Sequence, residues 1–329
     1  MNPFLSIFLV AAATFTIFAY IVFIWWLDRY EREPIWLVFL TFCWGAFGGT
    51  MLGGAFTLSL SAISNLIFDP STTNLLTAVV FAPSLEEITK ALIFVFLIFS
   101  VHFDNETDGL IYGAATGLGF ACVENLLYFS NTQSMEELAT LVVLRTGLTA
   151  LVHCVSSSLI GISLGFARAR GSSAFMTLIF LTVGYVLAVA NHATWNGIAT
   201  ATGSLGAEGG GIVFLTGILI VFGGALVMFM LTQFSLWREH KLIERVLKLE
   251  AKMGTLPDVH ASIIPFWLKR RKSDWLDPKI NKKRYVRLAT KLAFRKHKYE
   301  VFRNNDKKKK KLIDEMDRIR EEIQTLVQV

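Results

Sequence analysis

Seven stretches of this chain are apolar almost without interruption, and several exceed the ~20 residues that a helix needs to cross a bilayer. They lie at roughly 3–26, 35–63, 74–101, 109–130, 139–166, 173–200 and 211–236. The pattern predicts an all-α fold, a polytopic transmembrane helical bundle of about seven spans. The first stretch runs straight to Trp25 and Trp26 with no small-residue cleavage site, which reads as a retained anchor rather than a removable signal. After Trp237 the pattern changes. A helix is expected from about Trp237 to Met253, then a middle broken by Pro257, Pro265 and Pro278. A charged helix is expected after Lys307–Lys311, with Leu312, Met316 and Ile319 at helical spacing. The expected organisation is a membrane core over 1–236 and a basic helical tail over 237–329.

Composition agrees with a membrane protein, since 53% of the 329 residues are hydrophobic and only 18% charged. Charge adds an orientation. Six of the 32 Lys and Arg residues precede position 237: Arg29, Arg32, Arg168 and Arg170 in connections, Lys90 and Arg145 within spans. The connections near 68–73, 131–138 and 201–210 have none, so the positive-inside rule puts the N-terminus outside and the C-terminus in the cytoplasm. The tail holds the other 26 basic residues against 13 acidic ones, a balance suited to anionic lipid headgroups. Nucleic acid is not an expected partner for a tail tethered beside seven spans. Cys43, Cys122 and Cys154 all fall within spans without a paired spacing, so no structural disulfide is expected.

Four polar clusters interrupt this apolar background: Glu86-Glu87-x-x-Lys90, Glu124-Asn125, His153 and His192-x-x-x-Asn196. A charge at mid-bilayer costs roughly 2.5–3.5 kcal/mol on insertion scales, so such groups persist where they face one another, water or a substrate. Pro83 weakens the helix just before the acids, and Glu86 and Lys90, four apart, share a face on which they can pair. Adjacent carboxylates point about 100° apart, so only one of Glu86 and Glu87 meets Lys90 well and the other is available for acid–base work. A structural ion pair is the bland alternative. Glu124 lies deep in its span and must find a proton, a cation or a metal.

A lone buried histidine is more often a core residue than a ligand, but two on different helices together with three glutamates shift that balance. Imidazole and carboxylate form the ligand set of a catalytic zinc site, and the same groups can activate water without metal. Asn196 and one histidine can instead donate to a developing oxyanion. Other templates fail. There is no His-Glu-x-x-His, and Gly161-x-Ser163-x-Gly165 sits inside a helical span rather than at a strand–turn–helix. Phe120 stands where an aspartyl intramembrane protease would carry its acid.

These residues resemble the PrsW family of intramembrane proteases, relatives of the membrane CAAX-processing proteases. The resemblance covers about Asp28 to Asn196. It rests on Arg29, Glu31, Glu33 and Pro34, on Pro83-x-x-Glu86-Glu87-x-x-Lys90, and on Asp108-Gly109 with Gly113. It continues in Gly117-x-Gly119-Phe120-x-x-x-Glu124-Asn125-x-x-Tyr128, His153 and His192-x-x-Trp195-Asn196. It implies a membrane-embedded peptidase in a bacterial cytoplasmic membrane that cuts single-span proteins such as anti-sigma factors. By the same resemblance Glu86 or Glu87 is the water-activating base, and Asn196 stabilises the oxyanion. Glu124, His153 and His192 are metal ligands or transition-state donors, with Lys90 and Asn125 completing the site. Zinc is the candidate cofactor, although the CAAX relatives are described with a glutamate-activated water. The rival readings are an ion- or proton-coupled transporter, against which no inverted repeat is visible, and a non-catalytic membrane scaffold.

Overall fold

A computed structural model describes residues 2–272, 274–301 and 306–327 and is all-α. The chain begins with α1 (Pro3–Leu27), α2 (Ile35–Ser64) and α3 (residues 70–91). There follow α4 (Glu106–Ser130), α5 (Met135–Ala169), α6 (Ala174–Ser204) and α7 (Gly206–Lys252). Among the described residues six helices are long and apolar enough to cross a membrane: α1, α2, α4, α5, α6 and, from Gly209, α7. The remaining expected span, 74–101, is helical but interrupted. It contains a π-turn at Thr77–Phe81, breaks at Leu92 and resumes briefly as Ile93–Leu97. The chain divides into two compact units, Met1–Leu27 with Glu33–Thr232, and Asp28–Arg32 with Gln233–Val329.

In the first unit α4 is the central element. Every residue from Thr107 to Cys122 is buried, because α5 covers one side and α2 another. Small residues permit the approach. A Cβ on Gly109 would lie 2.0 Å from the Gly161 carbonyl oxygen, and one on Gly161 would lie 1.9 Å from that of Gly109. Along the same seam Gly113 meets Ser157 and Gly117 meets His153, so α4 and α5 run antiparallel with their backbones in contact. Gly161 and Gly165, which match a nucleophile-elbow spacing, are packing positions on this seam.

The outer helices show the complementary pattern. On α1 only Ala13, Ile17 and Leu27 are buried, while Phe4, Ile7, Phe8 and Phe15 are exposed, as suits a surface solvated by lipid. On α6 the buried residues are Gly184, Ala188, His192 and Trp195, one narrow stripe at helical spacing. His192 therefore points inward because it lies on the only inward-facing row of its helix.

The second unit has its own core. The end of α7 is joined by α8 (Asp258–Ile263), α9 (Trp267–Arg271), α10 (Lys282–Val301) and α11 (Asp306–Val327). Ile243, Leu247, Tyr285, Leu292 and Ile323 are fully buried together. The expected helix starting near Trp237 is instead the continuation of α7, since no proline or turn-former separates Leu236 from Trp237. That helix ends before Gly254, whose φ of +76° is open to glycine at no steric cost. The breaks around Pro257, Pro265 and Pro278 appear as expected between the short helices.

Candidate active site

The polar residues flagged in separate spans come together inside the first unit. The local cause begins in α3, whose buried residues include Pro83, Glu87 and Lys90 while Ile88 is 48% exposed. This segment is turned inside out relative to a soluble helix, with its charged side facing the bundle. Glu87 and Lys90 are fully buried and paired, with Nζ 2.5 Å from Glu87 Oε1. Glu87 also receives hydrogen bonds from Ser157 Oγ at 3.3 Å and contacts His192 Nδ1 at 2.9 Å. The Lys90 ammonium lies 4.3 Å from the Phe120 ring centroid and 3.3 Å from His153 Nδ1. Glu87 is thereby satisfied on every side and closed to water.

Glu86 is placed differently. Its side chain keeps 14% exposure, and its buried Oε2 has no hydrogen-bond partner. His192 Nε2 stands 3.8 Å from that oxygen. His153 and His192 meet edge to face with ring centroids 4.7 Å apart. One ligand atom from each of Glu86, His153 and His192 can be chosen so that all three lie within 4.8 Å of one another. These groups fit a divalent metal by donor chemistry: two imidazoles, one carboxylate and an orphaned buried oxygen aimed among them. The Glu87 contact on Nδ1 of His192 leaves Nε2 directed to the cluster, the arrangement by which an outer carboxylate orients a ligating imidazole.

Glu124 is 20% exposed and anchors the far side of His153, its Oε2 lying 2.8 Å from both His153 Nε2 and Arg145 Nη2. Among the expected ligands, Glu124 thus touches His153, whereas Glu86 is the carboxylate grouped with both histidines. Arg145 also donates through Nε to Asn125 Oδ1 at 3.0 Å and lies over the Tyr128 ring at 3.6 Å. In a regular helix Arg145 and His153, eight apart, would be about 80° out of line. The π-turn at Arg145–Thr149 inserts one residue's worth of slack, bringing both side chains to Glu124. Sequence reasoning placed Arg145 in a span but assigned it no role; its charge deep in an apolar helix was the available signal.

Two further π-turns flank the site. The one at Trp44–Gly49 docks on α3 through Trp44 Nε1 donating to the Thr89 carbonyl at 3.1 Å and Thr89 Oγ1 donating to the Gly49 carbonyl at 3.2 Å. The one at Thr77–Phe81 spends the Ala82 N–H on Thr77, and the next N–H is missing because residue 83 is proline. Asn196 Nδ2 donates to the stranded Ala78 carbonyl at 2.9 Å. Asn196 shares a helix with His192, yet in this arrangement it serves the broken helix rather than the acid–imidazole cluster.

Comparison with known proteins gives a family for this part of the chain. The family model described as "PrsW family intramembrane metalloprotease" matches residues 33–232, a segment that includes every residue of the cluster. Protease PrsW of Bacillus subtilis (strain 168) is 28% identical over 179 residues, covering 53% of this chain and 74% of that protein. Protease PrsW of Oceanobacillus iheyensis is 28% identical over 167 residues, covering 50% and 70%. Protease PrsW of Clostridioides difficile (strain 630) is 34% identical over 110 residues, covering 33% and 45%. No solved structure gives a significant match.

Proposed function

This chain belongs to the PrsW family of intramembrane metalloproteases, and we propose that it hydrolyses a peptide bond in single-span membrane proteins at the Glu86, His153 and His192 cluster. The observation that carries this reading is the unpartnered Oε2 of Glu86 beside His192 in an otherwise apolar bundle. A carboxylate oxygen kept there without a hydrogen bond is costly unless a water, proton or cation completes it.

In this reading Glu86, partly accessible while Glu87 is closed, uses one carboxylate oxygen to take a proton from the attacking water and offers the other to a cation. His153 and His192, with Glu86, would hold a divalent metal. When bound, such an ion polarises the scissile carbonyl and lowers the pKa of water. Glu87 holds the His192 ring in place, and Glu124 with Arg145 holds the His153 ring. The helix break around the Thr77–Phe81 π-turn and Pro83 supports entry of a locally unwound substrate segment, since irregular backbone at membrane depth is tolerated beside protein or a wet cavity. Anti-sigma factors are the substrate class suggested by family analogy, with the C-terminal unit on the cytoplasmic side of a bacterial membrane by the basic-residue count.

The test is reconstitution of the full chain in liposomes with a single-span reporter. Glu86→Gln is expected to lose at least about 100-fold in cleavage, the contribution typical of a general base. Wild-type turnover by that variant rules out the role given to Glu86.

A further inference from the structure

The second unit holds a cleft of about 700 Å³ whose charge is strongly one-sided: of twelve lining residues eight are Lys or Arg and one, Glu31, is acidic. Its two walls are the short segment after α1 and the helices α9 and α10, all within the same unit. Among the described residues Arg29, Arg271, Lys283 and Arg287 make no ion pair with a carboxylate, although acidic groups elsewhere in the unit pair readily, as Lys291 does with Glu315 at 2.8 Å. Lys283 and Arg287, four apart on α10, present two exposed cations on one face.

A second observation points to a missing anion. The Nη1 atom of Arg270 is buried and has no hydrogen-bond partner, while its Nη2 donates to the Arg29 carbonyl at 2.5 Å. Aromatic rings stiffen the same wall: Arg29 and Arg271 lie 5.5 Å and 4.6 Å from the Trp267 ring, and Arg270 lies 5.1 Å from that of Tyr30. A cleft of arginines held by backbone and aromatic contacts, with guanidinium donors still free, is built for a phosphate group rather than for solvent.

Chain continuity gives its depth. Arg29 is the second residue after α1, a helix long and apolar enough to cross a membrane, and α2 begins again at Ile35. The wall formed by Arg29 and Tyr30 therefore sits at headgroup level. We propose that this cleft binds the phosphodiester headgroup of an anionic membrane lipid. The site is separate from the acid–imidazole cluster and does not depend on its assignment as a protease centre.

The test uses the full chain purified in detergent and titrated with phosphatidylglycerol, phosphatidylcholine or inorganic pyrophosphate, followed by tryptophan fluorescence and by native mass spectrometry of retained lipid. Phosphatidylglycerol is expected to bind and phosphatidylcholine not to. Lys283→Ala with Arg287→Ala is expected to weaken phosphatidylglycerol at least about tenfold, in line with the loss of two surface cations at a headgroup. Both positions are exposed, so the double variant keeps its core. A control pair on α11, Lys310→Ala with Lys311→Ala, is expected to change affinity less than twofold. Equal phosphatidylglycerol affinity in the α10 double variant and wild type overturns the proposal, as does a cleft that takes pyrophosphate but no lipid.

Discussion

The Lys90 ammonium pairs with Glu87, three residues before it on the same helix, and not with Glu86, four residues before it. The choice separates two adjacent carboxylates into different jobs. Glu87 faces Ser157 and His192 in the closed interior, whereas Glu86 keeps an oxygen for the open cluster.

That separation gives a stability contrast. Glu87→Gln leaves the Lys90 charge buried without its counter-ion and is expected to destabilise the protein by about 3–5 kcal/mol. Glu86→Gln removes no ion pair to Lys90 and is expected to stay within about 1 kcal/mol of wild type. Thermal unfolding of both variants in detergent checks this; equal midpoints would place the structural pair elsewhere. Adding Lys90→Met to Glu87→Gln should recover part of the loss, because the orphaned charge goes with it.

The α4–α5 seam predicts opposite responses at two glycines. Gly161→Ala would set a methyl 1.9 Å from the Gly109 carbonyl oxygen and is expected to cost about 1–3 kcal/mol or more. Gly54→Ala, on α2 with open space around it, should be neutral or stabilising by about 0.5–1 kcal/mol. Unfolding midpoints of the two variants decide it, and a tolerated Gly161→Ala would mean that the helices do not touch there.

In the second unit His260 contacts the Tyr285 hydroxyl through Nδ1 at 2.9 Å and packs edge to face on Trp275 and Tyr285. Burial lowers its pKa from the ordinary histidine value, and burial raises that of Tyr285. A depressed histidine pKa means the neutral ring is favoured in the folded state. Its contribution is therefore complete above the unfolded value of about 6.5 and is lost as pH falls through the lower folded value. Protection factors of α10 amides in the full-length protein, corrected for the intrinsic pH dependence of amide exchange, should fall between pH 7.5 and pH 5, and His260→Phe should flatten that profile. Parallel profiles would show that His260 does not carry the pH response.

Much of this was legible in the sequence, for physical reasons specific to each element. Membrane helices announce themselves by length and hydropathy, and six of the expected spans are continuous helices. The cost of isolated charge in lipid likewise made Glu86, Glu87, Glu124, His153 and His192 conspicuous, and the bundle brings them together. Spacing alone was a poorer guide to partners. Glu86 and Lys90 at i,i+4 looked like the natural pair, but Ser157 and His192, contributed by other helices, draw Glu87 inward instead. The π-turns were invisible because no simple residue pattern encodes them. They account for what pattern reasoning missed: Arg145 reaching Glu124, and Asn196 bonding to the carbonyl stranded ahead of Pro83. The tail read as charged and helical, yet its buried core of Ile243, Leu247, Tyr285 and Leu292 depends on contacts far apart in sequence.

Metal content measured beside cleavage tests the proposed metal centre most directly. Wild-type protein purified from membranes should carry about one divalent ion per chain, and His192→Ala, which removes one of three grouped donors, should carry almost none. Chelation should abolish cleavage of the single-span reporter, and added zinc should restore it. Full-rate cleavage by metal-free wild-type protein, or an unchanged metal content in both His192→Ala and His153→Ala, would contradict a metal centre at Glu86, His153 and His192.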